Sequence, residues 1–208
     1  MQKDAKVVVG IPTLGNVDWR FASSLMGLQL ICDTKVIWQV RTMIATARNL
    51  IVKQALTDET YTHLLFIDDD MTFDSDFLYK LISTNVDIVG GLAFKRTADY
   101  QPCVYKKKED GQHYPILPEV FQEVDAIGTA GLLIKTDVFK KIAFPWFETY
   151  YDEQGRVWSV DFDFCIKAKK AGFKVFVEPT ALMGHIGQSE VISKETFLTY
   201  NKQKHERN

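Results

Sequence analysis

Three cysteines in 208 residues, none in a Cys-x-x-Cys pair, offer neither a disulfide framework nor a thiolate cage for a metal. Cys32, Cys103 and Cys165 are far apart and odd in number, so buried free thiols in a reducing compartment are expected. An excess of one charge is also lacking: 25 Lys and Arg stand against 27 Asp and Glu, a net charge of −2. Bulk electrostatics therefore give no pull toward nucleic acid or an anionic membrane. No apolar run approaches the roughly 20 residues of a membrane span. The early run VVVGI is too short for a signal peptide, so a soluble, cytoplasmic protein is expected. Gly-x-Gly-x-x-Gly is missing, and no glycine-rich loop ends in Gly-Lys-Ser/Thr. Dinucleotide and Walker-type readings are weakened accordingly. There is no repeat, linker or low-complexity tract.

What is present is ordinary globular composition, 46% hydrophobic and 25% charged, at a length that suits one domain. Strands are predicted over Lys6–Ile11, Val36–Val40, His63–Ile67, Asp87–Val89, Leu132–Ile134 and Phe173–Val177. Between them, Val17, Phe21, Leu25 and Leu28 recur at helical spacing, and helices are predicted over Ile44–Leu56 and Phe77–Ile82. Thr136 is expected to cap a helix ending near Ile142. Ser159 is expected to cap one running to Lys170 and stopped by Gly172. The alternation predicts an α/β fold, a mainly parallel central sheet with helices on both faces. Residues 93–124 read as hairpins or loops over the sheet rim. Residues 1–192 form the expected domain, and 193–208 a polar, frayed tail.

Several segments carry chemistry. In HLLFIDDDM a buried run ends in three aspartates. If the chain stays extended, Asp68 and Asp70 point to one side and Asp69 to the other. Two hard oxygen donors at a sheet rim suit Mg²⁺ or Mn²⁺, with phosphate oxygens completing the shell. Three adjacent carboxylates also ask for a positive partner. Arg48, in RTMIATARNL, is the candidate, either against the carboxylates or against phosphate directly. Arg41, seven residues earlier, is placed to share its helical face. Lys95-Arg96 is a less specific basic pair. Asp161, in the first turn after Ser159, can act as a general base or simply favour the helix dipole. His185, between glycines in GHIG, can approach a metal or be a satisfied polar residue. Gly128-Thr129-Ala130-Gly131 is a small-residue loop before a strand. Trp146, Phe147, Tyr150, Tyr151 and Trp158 offer faces for stacking on sugar rings or for packing. YYDEQGR, residues 150–156, has the composition of a movable lid.

In order along the chain, GIPT, ATARNL, LLFIDDDM, IGTAGLLIKTDVF, VDFDFCIKAKKAGFKVFVEP and GHIG resemble family 2-like glycosyltransferases of the GT-A fold. The resemblance covers most of Val7 to Gly187. It implies a single-domain GT-A, nucleotide-diphospho-sugar transferase-like fold. It also implies Mn²⁺- or Mg²⁺-dependent transfer of a sugar from a nucleotide-diphosphate donor to an acceptor hydroxyl. The acceptor class, whether glycan, protein or small molecule, stays open. The resemblance puts Asp68, Asp70 and His185 at the metal and Asp161 as base of an inverting reaction. Pro12 and Thr13 fall under the nucleotide base, and Arg48, Asp68, Asp69 and Gly131 line the substrate site. The family often carries Glu-Asp where this chain has Val160-Asp161, and no acidic base-reader follows the second strand. A non-catalytic sugar-nucleotide or glycan-binding module and a nucleotidyltransferase are the alternatives.

Overall fold

The structure, a computed structural model, describes residues 5–97, 99–151, 155, 157–187 and 191–206. Residues 152–154 and 156, the middle of the expected lid, lie outside the described residues, as do the side chains of Tyr150, Tyr151 and Trp158. The chain opens with β1 (Lys6–Thr13), α1 (Trp19–Gly27), β2 (Asp33–Val40), α2 (Ile44–Ala55) and β3 (His63–Ile67). Next come β4 (Met71–Phe73), α3 (Phe77–Ser83), β5 (Ile88–Leu92), β6 (Val104–Lys107), β7 (His113–Pro115) and β8 (Gln122–Val124). They are followed by β9 (Ala126–Ile127), β10 (Gly131–Lys135), α4 (Thr136–Lys141), β11 (Tyr150–Tyr151) and β12 (Val157–Trp158). The last elements are α5 (Val160–Lys170), β13 (Val175–Ile186), β14 (Val191–Ile192) and α6 (Lys194–Glu206).

The main sheet runs β14-β13-β5-β10-β3-β1-β2, with β4 and β8 also paired to β13. β1 lies parallel to β2 and β3, and β13 parallel to β5. β10 runs antiparallel to both β3 and β5. The central sheet is thus largely parallel, with one reversed strand in its middle. β10 follows the loops and short strands of residues 93–130. Without a helical crossover, nothing forces it to run with its neighbours.

The apolar strands are hydrophobic throughout because both faces are covered. Side chains alternate across the sheet. Val8, Leu64, Phe66, Leu132 and Ile134 join Ile51 and Val52 of α2, Phe139 of α4 and Phe164 of α5 in one core. Val7, Val9, Leu65, Ile67 and Leu133 join Phe21 of α1 and Phe77, Leu78 and Leu81 of α3 in the other.

Several element ends differ from expectation. Thr136 is not a cap. It is the first residue of α4, and its hydroxyl donates to the carbonyls of Tyr61 and Thr62, which ties α4 to the start of β3. Arg41 precedes α2, with φ of 53°, so it does not share the Arg48 helical face. The polar tail is a 13-residue helix, α6. Phe197 and Tyr200 bring it to Phe94 and Tyr100, with ring centroids 5.6 and 5.5 Å apart. All three cysteines are free, but only Cys165 is fully buried. Trp146 and Phe147 belong to the core: Phe147 stacks on Phe164 and meets Phe66 edge-on. Asn49 fixes their segment, accepting from the amides of Trp146 and Phe147 and donating to the Phe147 carbonyl. No helix among the described residues is long and apolar enough to cross a membrane.

Candidate functional site

Parallel β1 and β3 end on the same rim, so Pro12-Thr13 and Asp68 are brought together there. Both Pro12 and Thr13 are buried. The Thr13 carbonyl accepts from Arg41 N and its hydroxyl accepts from Gly15 N, which fixes the turn leaving β1. Because β10 is reversed, it enters the sheet at this rim. Gly131 pairs with Ile67, and Asp68 N donates to the Ala130 carbonyl at 3.1 Å. Gly131 has a packing requirement of its own: a Cβ there would lie 2.1 Å from Met183 Sδ and 2.9 Å from Phe77.

β3 stops at Ile67, and Asp69-Asp70 turn into β4. The extended geometry expected of the triplet is therefore absent, because the chain must reverse to begin β4. Asp68 and Asp70 meet different partners. Asp68 receives Arg48 Nη2 on both oxygens at 3.2 Å. Arg48 Nη1 donates to Asp161 Oδ1 at 2.8 Å. The arginine side chain is 4% exposed, and its Nε has no partner among the described residues. Of the two roles expected for Arg48, pairing with the rim carboxylates is the one formed. Burial pushes the Asp68 carboxyl up, the Arg48 charge opposes this, and neighbouring Asp161 and Asp70 push it further up.

Asp161 comes to the rim on the first turn of α5, with Ser159 at the cap position. A second donor reaches it from a loop residue to which the sequence assigned no role of its own. The buried Thr129 hydroxyl donates to Asp161 Oδ1 at 2.5 Å. The only sign in the sequence is one hydroxyl within a small-residue loop that opens a buried strand. Asp161 Oδ1 thus carries both donors. Oδ2 has no partner among the described residues, and the side chain is 29% exposed.

The other half of the rim is built by β13. This strand outruns β5 and pairs His185 with Met71 of β4. Ile186 N donates to the Asp70 carbonyl at 2.8 Å, which locks the two segments together. His185 Nε2 lies 3.2 Å from Asp70 Oδ2, and its Nδ1 lies 2.8 Å from the Phe94 carbonyl. A carbonyl only accepts, so Nδ1 carries a proton. Nε2 then faces a carboxylate either as a second N–H or as a bare lone pair. A lone pair beside a carboxylate oxygen is a donor set that calls for a cation. Arg96 supplies one here, with Nη2 3.1 Å from Asp70 Oδ2. Burial raises the Asp70 carboxyl, but the contact with His185 and the Arg96 charge outweigh it, leaving it below the usual carboxylate range. Among the described residues, no three His, Cys, Asp or Glu side chains cluster closely enough to hold a metal alone. Asp69 is half-buried beside these groups.

No protein-family model matches this chain, and no curated protein matches it in sequence. Solved structures do match. A197 from STIV superposes with a TM-score of 0.67 at 19% identity, covering 92% of this chain and 91% of that one. GalNAc-T7, determined with UDP, GalNAc and Mn²⁺, gives a TM-score of 0.61 at 11% identity. That match covers 97% of this chain and 48% of GalNAc-T7, so the present chain corresponds to about half of it. The fold is GT-A-like. At these identities the likeness is one of fold, and the family 2 resemblance is not among the findings. In open α/β sheets ligands generally bind beyond the carboxyl ends of the strands, and β1 and β3 both end at this rim.

Proposed function

We propose that this chain is a glycosyltransferase that moves a sugar from a nucleotide-diphosphate donor to an acceptor hydroxyl, assisted by Mn²⁺ or Mg²⁺. The observation that carries the reading is the Asp70–His185 pair, with Nδ1 committed to a carbonyl and Nε2 turned to a carboxylate. A carboxylate oxygen and an imidazole nitrogen suit Mn²⁺ or Mg²⁺, and water and diphosphate oxygens can complete the shell. The two protein ligands are Asp70 and His185, with Asp68 on the ribose side or joining the metal. Such a cation would neutralise the charge that gathers on the departing diphosphate.

The remaining roles belong to the chain itself. Pro12 and Thr13 form the floor under the nucleotide base. Asp69 and the loop that ends in Gly131 border the sugar. Asp161 Oδ2 takes the acceptor proton, while Arg48 and Thr129 hold Oδ1 so that the carboxylate cannot rotate away. A base on the side opposite the leaving group gives inversion at the anomeric carbon. The GalNAc-T7 structure, with its UDP-sugar components and Mn²⁺, supports this reading by fold alone.

The test is a thermal-shift screen of nucleoside diphosphates with and without Mn²⁺. At least one nucleotide is expected to raise the midpoint only when the ion is present, and Asp70→Ala and His185→Ala are expected to abolish that increment. An increment that survives in both variants would remove the metal from this site. Retention in the sugar product would remove Asp161 from its role as base.

A further inference from the structure

The rim holds two arginines of opposite character. Arg48 is 4% exposed and makes hydrogen bonds to two carboxylates. The Arg96 side chain is 51% exposed and reaches the rim from the solvent side. Its Nη2 meets Asp70 Oδ2, and its Nη1 donates to the Ile186 carbonyl at 3.2 Å. This is not the two-oxygen fork that makes arginine–carboxylate pairs strong. One nitrogen holds a single carboxylate oxygen, and the other holds a backbone group that water can serve equally well.

The backbone beneath Arg96 is firm. Phe94 bridges to Pro102, and Lys95 N donates to the Gln101 carbonyl. The Phe94 carbonyl also orients His185. The segment therefore fixes the imidazole while leaving a long cationic side chain free to swing. The Asp70 oxygen that Arg96 touches is the same one that His185 Nε2 faces. One atom thus has a movable monovalent cation and a nitrogen ligand on it.

We propose that Arg96 holds the place of the divalent cation on Asp70 and, once the ion is seated, turns its guanidinium onto the donor diphosphate. The inference rests on the metal reading above. Before ligand arrives, Arg96 neutralises Asp70. Afterwards its fork geometry is available to bridge phosphate oxygens, the bidentate recognition for which arginine is suited. It is a positioning residue with two successive partners.

Arg96→Met separates the two steps, and the exposed side chain makes the substitution safe for folding. Mn²⁺ binding is followed by electron paramagnetic resonance without nucleotide. Binding of inorganic pyrophosphate at saturating Mn²⁺ is followed by calorimetry. The variant is expected to bind Mn²⁺ roughly two- to fivefold more tightly than wild type, because an exposed ion pair no longer has to be broken. It is expected to bind pyrophosphate more weakly by at least that factor. A residue of purely structural importance would not move the two affinities in opposite directions. Equal or weaker Mn²⁺ binding by the variant overturns the Arg96 proposal and leaves the metal reading intact. Unchanged pyrophosphate affinity overturns it as well. Absence of Mn²⁺ binding in both proteins, with pyrophosphate present as well as without it, brings down the metal reading and this proposal together.

Discussion

A guanidinium that is 4% exposed and set between two carboxylates is a charge that water does little to stabilise. Removing one partner from such a group leaves the others uncompensated, which typically costs about 3–5 kcal/mol. Asp68 and Asp161 are each partly open to solvent, so Arg48→Met is expected at the low end, about 3 kcal/mol of lost stability. Urea unfolding at pH 7 measures it; a loss below about 0.5 kcal/mol would mean that the bridge adds nothing beyond packing. Adding Asp68→Asn to the same protein should recover part of the loss, since one of the stranded charges is gone. The need for a cation was legible in the sequence because three adjacent aspartates repel one another. Its identity was legible as well, since Arg48 stands in a predicted helix next to the rim. Thr129 was not. A hydroxyl among glycines has the composition of a turn, and its partner arrives 32 residues later on α5.

At the scale of elements, the buried strands and their facing helices could be read because burial on both sides leaves continuous apolar runs. Strand direction could not, since a five-residue apolar run looks the same in either sense, and β10 is reversed. The turn after Ile67 was hidden for a related reason: three aspartates fit an extended end as well as a bend. The polar tail misled because α6 has no fully buried residue. Its hold on the fold comes from two rings at i and i+3, Phe197 and Tyr200, too narrow a stripe to stand out in KETFLTYNKQKHE. Those rings cover the segment whose Phe94 carbonyl orients His185. A chain ending at Ile192 is expected to lose about 1–3 kcal/mol, the worth of two aromatic pairs. That corresponds to a midpoint lower by several degrees in a thermal melt. An unchanged midpoint would show that α6 rests on the surface without contributing.

For the whole molecule, pH is the informative variable. His63 opens β3 in the middle of the sheet and is 4% exposed. Burial, then the nearby Lys135 charge, holds its imidazole down to about 4, against an ordinary value of 6.5. Between those two values the unfolded chain binds a proton that the folded chain refuses. The His63 contribution is therefore complete at pH 7 and is lost as pH falls through 6.5 toward 4. By the low end the loss amounts to about 3 kcal/mol. Urea midpoints at pH 7, 5.5 and 4.5 should fall along this course, and His63→Gln should flatten it; equal slopes in the two proteins would exonerate His63. β10 separates β3 from β5, so those strands never touch each other directly. During synthesis the β1–β3 block and β5 leave the ribosome as two unjoined pieces, and the strand that sutures them emerges some forty residues after β5. Until then the apolar flank of β3 has no neighbour on that side, and the nascent chain is left with an open seam where Asp68 will later meet Ala130.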